Sequence, residues 1–460
     1  MKTIFAQSTG RGKAGVAVIR ISGTDALPTL QKLTIRQNFT PNRLYTSLLQ
    51  DSDHIIDKAM VVYFKSPHSF TGEDIVELHT HGSIAVVKML TNTLLNLGLS
   101  LAEPGEFSKR AFLNGKMDLT SAEGLADLID SETELQHRQA MRHMSGELEA
   151  LCNVWREKLL KSLGLMEAYI DFPDEAIPDK VLESTQKMID ELKVSLQEKL
   201  SDNRRGERLR NGITMVVLGE PNVGKSSLMN FLSQRDVSII SDIAGTTRDV
   251  VETHLDIGGY PIILADTAGL RGGSDDVIEK EGMSRALKAA SAADIKIVMI
   301  DARKIDETPQ EILDLIDSSA IVVVNKVDLV DDCYPREGWD PDNKELDSSL
   351  RRNDNEGCGN NGPLYISIKQ KLNLDALISA ITAKAESLAG NGETVSITRE
   401  RHRHHITMSV EALERCNIKD DLVLAAEDLR IAARNLSLMT GKIEVEEILG
   451  EIFQNFCIGK

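Results

Sequence analysis

The sequence predicts a multidomain α/β protein with three parts: an N-terminal α+β domain, a discontinuous helical domain, and a parallel α/β domain inserted into the helical one. Three observations carry that prediction. As far as Lys116, short β-branched runs such as Val16 to Ser22, Ala59 to Phe64 and Asp74 to His79 are broken by Gly and Pro. From Thr120 apolar residues fall at helical spacing, and they do so again from about Ser367 to Phe456. Between these stretches, from Ile213, the runs Met215 to Leu218, Ile262 to Ala265, Ile295 to Ile300 and Ile321 to Val324 alternate with helix-like segments, the pattern of a parallel sheet. The expected boundaries are residues 1–117, 118–210, 211–375 and 376–460. At 460 residues the chain is too long for one core, since domains average about 150 residues.

The first helix after the N-terminal domain is expected to open at a capping box, Thr120 with Glu123, ahead of Leu125, Leu128 and Ile129. A proline-marked break follows between Phe172 and Pro178. Asp331 to Gly362, polar and aperiodic, reads as a surface loop without chemistry. Composition then narrows the function classes. With 41% apolar and 27% charged residues the chain is globular rather than disordered. No apolar run approaches the roughly 20 residues of a membrane span, so the expectation is a cytoplasmic protein with no membrane partner. The balance of 53 basic against 71 acidic side chains, net −18, argues against coating nucleic acid by bulk electrostatics. Any RNA contact must be local, and Arg204 to Arg210 and Arg399 to His405 read more plainly as solvated helix ends or linkers. Cys152, Cys333, Cys358, Cys416 and Cys457 have neither zinc spacing nor a disulfide framework and are read as reduced thiols.

Chemistry enters at Gly219, Glu220, Pro221, Asn222, Val223, Gly224, Lys225 and Ser226. These spell G-x-x-x-x-G-K-S between an apolar strand and a helix, the context that makes the match specific. The glycines let successive N–H groups face phosphates, Lys225 brings charge to the outer phosphates, and the Ser226 hydroxyl can ligate magnesium. Gly245-Thr246-Thr247-Arg248-Asp249 reads as a switch loop whose Thr247 supplies a second magnesium hydroxyl. Asp266, Thr267, Ala268 and Gly269 follow a buried strand, placing a carboxylate near magnesium and a glycine N–H toward the terminal phosphate. Asn325, Lys326, Val327 and Asp328 follow another. A carboxylate at Asp328 accepts two hydrogen bonds from the guanine edge, a pair that adenine does not offer, so the ligand is GTP rather than ATP. Ser367-Ile368-Lys369 fits a last base-contacting loop. Leu270 stands where a Ras-like enzyme carries a water-orienting glutamine, so the water must be positioned otherwise. Asn222 offers an amide oxygen suited to a monovalent cation and fits a turn residue equally well.

In the N-terminal domain Gly10, Gly12 and Gly15 spell G-x-G-x-x-G, but a β-branched strand follows rather than a helix, which excludes a dinucleotide site. Glu77, His79 and His81 share one face of an extended segment behind Thr71-Gly72-Glu73-Asp74. Two imidazoles and a carboxylate suit zinc; a polar pocket or a surface strand is the plainer reading. Glu103 to Phe107 and Asn114 to Lys116 look like turns. In Phe456-Cys457-Ile458-Gly459-Lys460 the thiol is either nucleophilic or simply part of a frayed end, and fraying is the simpler reading.

Over nearly its whole length the chain resembles the bacterial MnmE (TrmE) family, the tRNA uridine 5-carboxymethylaminomethyl modification GTPases. The carriers are Gly10-Arg11-Gly12, Arg20-Ile21-Ser22-Gly23, Phe70-Thr71-Gly72-Glu73-Asp74, Pro104-Gly105-Glu106-Phe107, Asn114-Gly115-Lys116, the Asn-containing P-loop, Gly245 to Asp249 and the terminal Cys-Ile-Gly-Lys. The resemblance implies an N-terminal α+β folate-binding domain that dimerises, and an inserted Ras-like P-loop GTPase domain. It implies a tetrahydrofolate donor, 5-formyl or 5,10-methylene, contacted by Arg20, Glu77, Lys116 and Lys460. Potassium activation follows, the ion held by Asn222, Thr246 and the carbonyls of Ser241 and Ile243. The nucleotide-binding set it implies runs Asn222, Val223, Gly224, Lys225, Ser226 and Ser227, then Ser241, Asp242, Ile243, Ala244, Gly245, Thr246 and Thr247, then Asp266, Thr267, Ala268 and Gly269, then Asn325, Lys326, Asp328 and Ser367. Glu279 matches, after a one-residue shift in register, the glutamate that helps to orient the hydrolytic water. Cys457 matches a cysteine important for modification.

The implied partners are a second copy in a homodimer, an MnmG-type protein using FAD and NADH in a heterotetramer, and tRNA. The implied reaction adds an aminomethyl or carboxymethylaminomethyl group to carbon 5 of the wobble uridine. This chain departs from the family at Ser8-Thr9, where prolines usually stand, and in the acidic loop before Leu364; neither is expected to touch a ligand. Two other readings compete. One is a regulatory GTPase switch in ribosome assembly whose N-terminus does no chemistry, the other a folate-dependent aminomethyltransferase acting on a small molecule.

Overall fold

Period-two alternation builds the first sheet. In β2 (Ala14–Ser22) Ile19 and Ile21 are buried on one face and Arg20 lies on the other; β5 (Ile75–Gly82) repeats this with Val76 and Leu78 against Glu77 and His79. With β1 (Ile4–Gln7), β3 (Leu44–Asp51), β4 (His54–Phe64) and β6 (Ser100–Leu101) they form a six-stranded sheet of order β3-β4-β5-β2-β1-β6. All neighbours are antiparallel except β1 and β6. The register sets Arg20 opposite Glu77, so oppositely charged side chains meet across strands on one face. Helices Ala26–Leu33 and Ile84–Asn96 cover the other face, burying Leu30, Leu33, Leu90 and Leu94 against Phe5, Ile19, Ile21 and Leu78. Each such leucine contributes roughly 2 kcal/mol of burial. The strand 14–22 directly after Gly12 agrees with the exclusion of a dinucleotide site.

The computed structural model describes all residues except 1, 53, 172–178, 236–251, 266–289, 331–361, 419–420, 443–455, 458 and 460. The expected proline break and nearly all of the polar loop 331–362 therefore lie outside the described residues. The chain divides into two compact units. One comprises Met1–Ala126, His143–Leu192 and Met408–Lys460; the other comprises Asp127–Arg142 and Lys193–Thr407.

In the first unit helix Glu147–Asp171 packs along helix Leu422–Thr440, burying Trp155 and Leu159 on one and Leu429 and Leu436 on the other. Asp421 caps the second helix, accepting from the N–H groups of Val423 and Leu424. Helix Leu119–Asp130 corrects the expected capping box. Asp118, not Thr120, is the cap: its carboxylate accepts from the N–H groups of Thr120 and Ser121 at 3.0 and 2.9 Å. A carboxylate serves two N–H groups at once and starts the helix earlier, leaving Thr120 and Glu123 buried inside it. Glu106–Leu113 is likewise a helix, so only Glu103 to Gly105 of the expected turn remains one.

In the second unit β7 (Ile213–Gly219), β8 (Glu252–Ile257), β9 (Tyr260–Ala265), β10 (Ile295–Asp301), β11 (Ala320–Asn325) and β12 (Leu364–Tyr365) take the order β12-β11-β10-β7-β9-β8. Every described pairing is parallel except the β8–β9 hairpin. β7 and β10 are almost continuously apolar because both faces are covered. Met215 and Val217 face one core with Leu228, Leu264 and Ile381, while Val216 and Leu218 face Ala290. Residues 127–142 pack here too. Leu135 lies against the core, Gln136 donates to Arg210 O at 3.1 Å, and Asp127 accepts from Arg210 and Arg399 at 2.7 Å each.

Candidate functional site

Strand β7 ends at Gly219 and helix Lys225–Arg235 begins six residues later, so the intervening loop sits at the carboxyl edge of the sheet with a helix N-terminus aimed into it. Asn222 and Gly224 both take positive φ, 62° and 112°. At Gly224 glycine is required twice over, since a Cβ there would lie 2.5 Å from Asn325 Nδ2. Lys225 Nζ donates to the carbonyls of Gly219 and Glu220 at 2.7 and 2.8 Å. Burial pushes its pKa down, with the charge of Glu220 opposing. A half-buried ammonium resting on loop carbonyls is poised for phosphate oxygens, which would stabilise its charge better. Ser226 and Ser227 are exposed in the first helical turn, where a hydroxyl can reach a magnesium ion.

The base end adjoins this loop. Asn325, the last residue of β11, donates from Nδ2 to Val223 O at 2.8 Å, and its Oδ1 accepts from Ile368 N at 3.3 Å. Lys326, at φ 67°, donates to Asn222 O at 2.6 Å. Asp328 is held by the hydroxyl of buried Ser367, which donates to its Oδ1 at 2.6 Å while accepting from Gln370 N. The four expected base and loop contacts, Asn325, Lys326, Asp328 and Ser367, are thus brought together with Asn222, Val223 and Gly224. Sequence reasoning missed Asp301, the last residue of β10. Arg303 and then Lys326 hydrogen-bond its carboxylate and hold it well below the usual carboxylate range, outweighing burial. An acid at the carboxyl end of a buried parallel strand was the available signal. Ser241, Asp242, Ile243, Ala244, Gly245, Thr246, Thr247, Asp266, Thr267, Ala268, Gly269 and Glu279 lie outside the described residues.

A second polar cluster occupies the first sheet. Arg20 donates to Glu77 from Nε and Nη2 at 2.9 and 2.8 Å, and its guanidinium lies over the rings of Phe70 and Phe107 at 5.4 and 5.8 Å. His79 Nε2 is 3.3 Å from the other oxygen of Glu77. His81 turns instead to Asp57, its Nδ1 at 2.8 Å, so Glu77, His79 and His81 do not gather as a metal triad. Beneath the cluster Arg110, 4% exposed, donates to Glu73, Glu106 and Lys2 O. Lys116 Nζ donates to Pro67 O at 2.8 Å, on the turn that carries Phe70. Burial and then the bond to Asp74 push the Tyr63 hydroxyl up to about 12.

The described residues of the tail, Phe456, Cys457 and Gly459, are held in place, which for them corrects the simpler reading of a frayed end. Phe456 is 8% exposed, Gly105 N donates to Cys457 O at 3.4 Å, and Ser8 Oγ donates to Gly459 O at 2.9 Å. Gly459 has φ 98°, and a Cβ there would lie 2.4 Å from Gln7 O. Cys457 is exposed and Lys460 lies outside the described residues. Ser8 therefore holds the tail through its hydroxyl.

Comparison with known proteins agrees with this arrangement. A family profile described as the GTP-binding protein TrmE N-terminus matches residues 3–116, and one described as the MnmE helical domain matches residues 119–457. The tRNA modification GTPase MnmE of Rickettsia bellii (strain RML369-C) is 53% identical over 466 residues, covering 100% of both chains. That of Rickettsia rickettsii (strain Sheila Smith) is 53% identical over 464 residues, and that of Rickettsia prowazekii (strain Madrid E) is 52% identical over 464, each again covering 100% of both chains. With full-length identity of this order and profiles matching along most of its length, the chain belongs to the MnmE (TrmE) family of tRNA modification GTPases.

Proposed function

We propose that the protein is a potassium-activated GTP hydrolase that modifies tRNA, adding an aminomethyl or carboxymethylaminomethyl group to carbon 5 of the wobble uridine with an FAD-dependent partner. The observation that carries the GTP part is the join between base and phosphate ends: Asp328, held by Ser367, stands beside Asn325 and Lys326, whose side chains grip Asn222 O and Val223 O. In this reading Asp328 accepts from the guanine edge, and Lys225 with the helix N-terminus neutralises the phosphates. The hydroxyls of Ser226 and Thr247 would hold magnesium, with the Asp266 carboxylate assigned to the same ion. The exposed Asn222 side chain, Thr246 and the carbonyls of Ser241 and Ile243 hold potassium. Cations held there would supply positive charge against the negative charge that builds up on the phosphate oxygens as water attacks the terminal phosphorus and its bond to the bridging oxygen breaks. Glu279 orients that water in place of the missing glutamine.

Arg20, Glu77, Lys116 and Lys460 hold the tetrahydrofolate derivative in the same reading. The donor set suits it: Glu77 offers a carboxylate edge to paired N–H donors, and partly exposed Phe70 adds aromatic surface beside Arg20. Homodimerisation and a heterotetramer with the FAD protein complete the proposal, the partner supplying RNA contacts that a chain of net charge −18 does not provide in bulk. The domains proposed are 1–117, 118–210, 211–375 and 376–460, in the cytoplasm. The test is deletion of the gene in its host, mass spectrometry of wobble-uridine nucleosides, and complementation with wild type, Asn222→Ala and Arg20→Ala. Loss restored by wild type alone supports the reading; an unchanged nucleoside profile would sink it in favour of a regulatory GTPase switch.

A further inference from the structure

We propose that Asp301 is a positioning residue of the guanine-nucleotide site, acting through Lys326 to hold the phosphate loop at Asn222. The proposal rests on the guanine reading above and adds a residue that reading does not contain. Asp301 ends β10 at the carboxyl edge of the sheet and is 8% exposed. Its Oδ2 accepts from Lys326 Nζ at 2.8 Å and from Arg303 Nη2 at 2.7 Å, while Oδ1 accepts from Arg303 Nε and N at 3.0 and 3.1 Å. The same Lys326 ammonium reaches Asn222 O at 2.6 Å. One cation thus joins a buried carboxylate to the main chain of the phosphate loop.

The join matters because both backbones it links are in the left-handed region, Asn222 at φ 62° and Lys326 at φ 67°. Such conformations cost a non-glycine residue energy and persist only where neighbours fix them. A lysine has a flexible four-carbon stem and no fork geometry, so a single acceptor leaves its head free to swing. The second acceptor, Asp301, removes that freedom. Asn325 meanwhile holds the next carbonyl, Val223 O, so the two base-loop residues clamp consecutive peptide groups of the phosphate loop, and Asp301 fixes the outer clamp. The plainer role for Asp301 is to cap the turn that follows through Arg303 N, which would not involve Lys326 at all.

The experiment measures affinity and dissociation rate of a fluorescent GDP analogue on the full chain, for wild type, Asp301→Asn, Lys326→Met, the double variant, Asp301→Glu and Arg303→Ala. Asp301→Asn is expected to weaken GDP binding about tenfold, through faster dissociation, as loss of one charged hydrogen bond allows. In the Lys326→Met background the same change should add no more than about twofold, because Asp301 acts through that ammonium. Asp301→Glu keeps the charge and should recover most of the loss. Arg303→Ala removes an exposed partner and should stay within about threefold of wild type. Melting temperatures without nucleotide separate these effects from folding, and if Asp301→Asn does not fold, Lys326→Met carries the comparison: it should weaken GDP at least about tenfold, and binding like wild type would overturn the proposal. An Asp301→Asn protein that binds GDP like wild type, or losses that multiply in the double variant, would overturn the proposal alone. Failure of the wild type to bind GDP would overturn the guanine reading and this proposal with it.

Discussion

The two polar clusters of this chain are made in opposite ways. The nucleotide site is built mainly from main chain: the loop between β7 and its helix presents peptide groups, and side chains such as Asn325 and Lys326 serve to hold those peptides in place. The N-terminal site is built from side chains on a sheet face, Arg20 and Glu77 paired across β2 and β5 with Phe70 and Phe107 beside them. A peptide-built site tolerates few backbone changes and many side-chain changes; a side-chain-built site has the reverse tolerance. The contrast also separates their chemistry, since rows of N–H groups suit phosphate whereas a carboxylate and a guanidinium suit a ligand with its own donors and acceptors.

Four variants would break or sharpen that contrast. Lys225→Ala removes the ammonium that the phosphate loop itself carries, and GTP hydrolysis should fall by about 100-fold or more while any binding of 5-formyltetrahydrofolate is unchanged. Phosphate release at saturating GTP measures it. Asp328→Asn should weaken GDP by roughly 100-fold and improve binding of xanthosine diphosphate, whose 2-carbonyl accepts from the new amide. Calorimetry with both nucleotides decides; an unchanged GDP affinity would remove Asp328 from the base site. Glu77→Gln should weaken 5-formyltetrahydrofolate about tenfold and leave GDP affinity within twofold, and equal losses at both sites would show that they are not independent. Gly459→Ala should loosen the tail by about 1–2 kcal/mol, seen as faster hydrogen exchange near Gln7 and Ser8, because it forces a Cβ onto Gln7 O.

The smallest effect concerns pH. Burial would raise the Asp57 carboxyl, but hydrogen bonds from His81 and Lys58 outweigh it and hold the group below its ordinary value. The stability this contributes is present above the unfolded value near about 4 and is lost as pH falls through the folded value. Asp57→Asn should therefore flatten the acid limb of a stability–pH curve while changing stability at neutral pH by under about 1 kcal/mol.

How much of this could be read beforehand follows from the same contrast. The phosphate loop is eight contiguous residues between a strand and a helix, so its sequence carries its geometry, and the strands at 213–219 and 295–301 announced themselves by continuous apolar runs. The proposed folate site draws Arg20, Glu77 and Lys116 from separate elements. No local spacing encodes that, and only likeness to a family pointed to it. Asp301 was missed because it has no motif of its own and acquires meaning only beside Lys326. Helix Leu119–Asp130 opened early because Asp118 competes better for N–H groups than Thr120 does. The docked tail was invisible for another reason: Ser8 and Gly459 are 451 residues apart, and nothing local hints at their contact.

That contact has a consequence for the order in which the molecule is made. During synthesis the first sheet needs only its early strands, whose pairings β2–β5 and β3–β4 lie within one domain's length and can form long before Gly459 is made. Ser8 must wait for Gly459, so that contact forms only after the α/β unit between them has been made. A newborn chain therefore pairs its early strands first and joins Ser8 to Gly459 afterwards, so one hydrogen bond ties the oldest part of the fold to a much younger one.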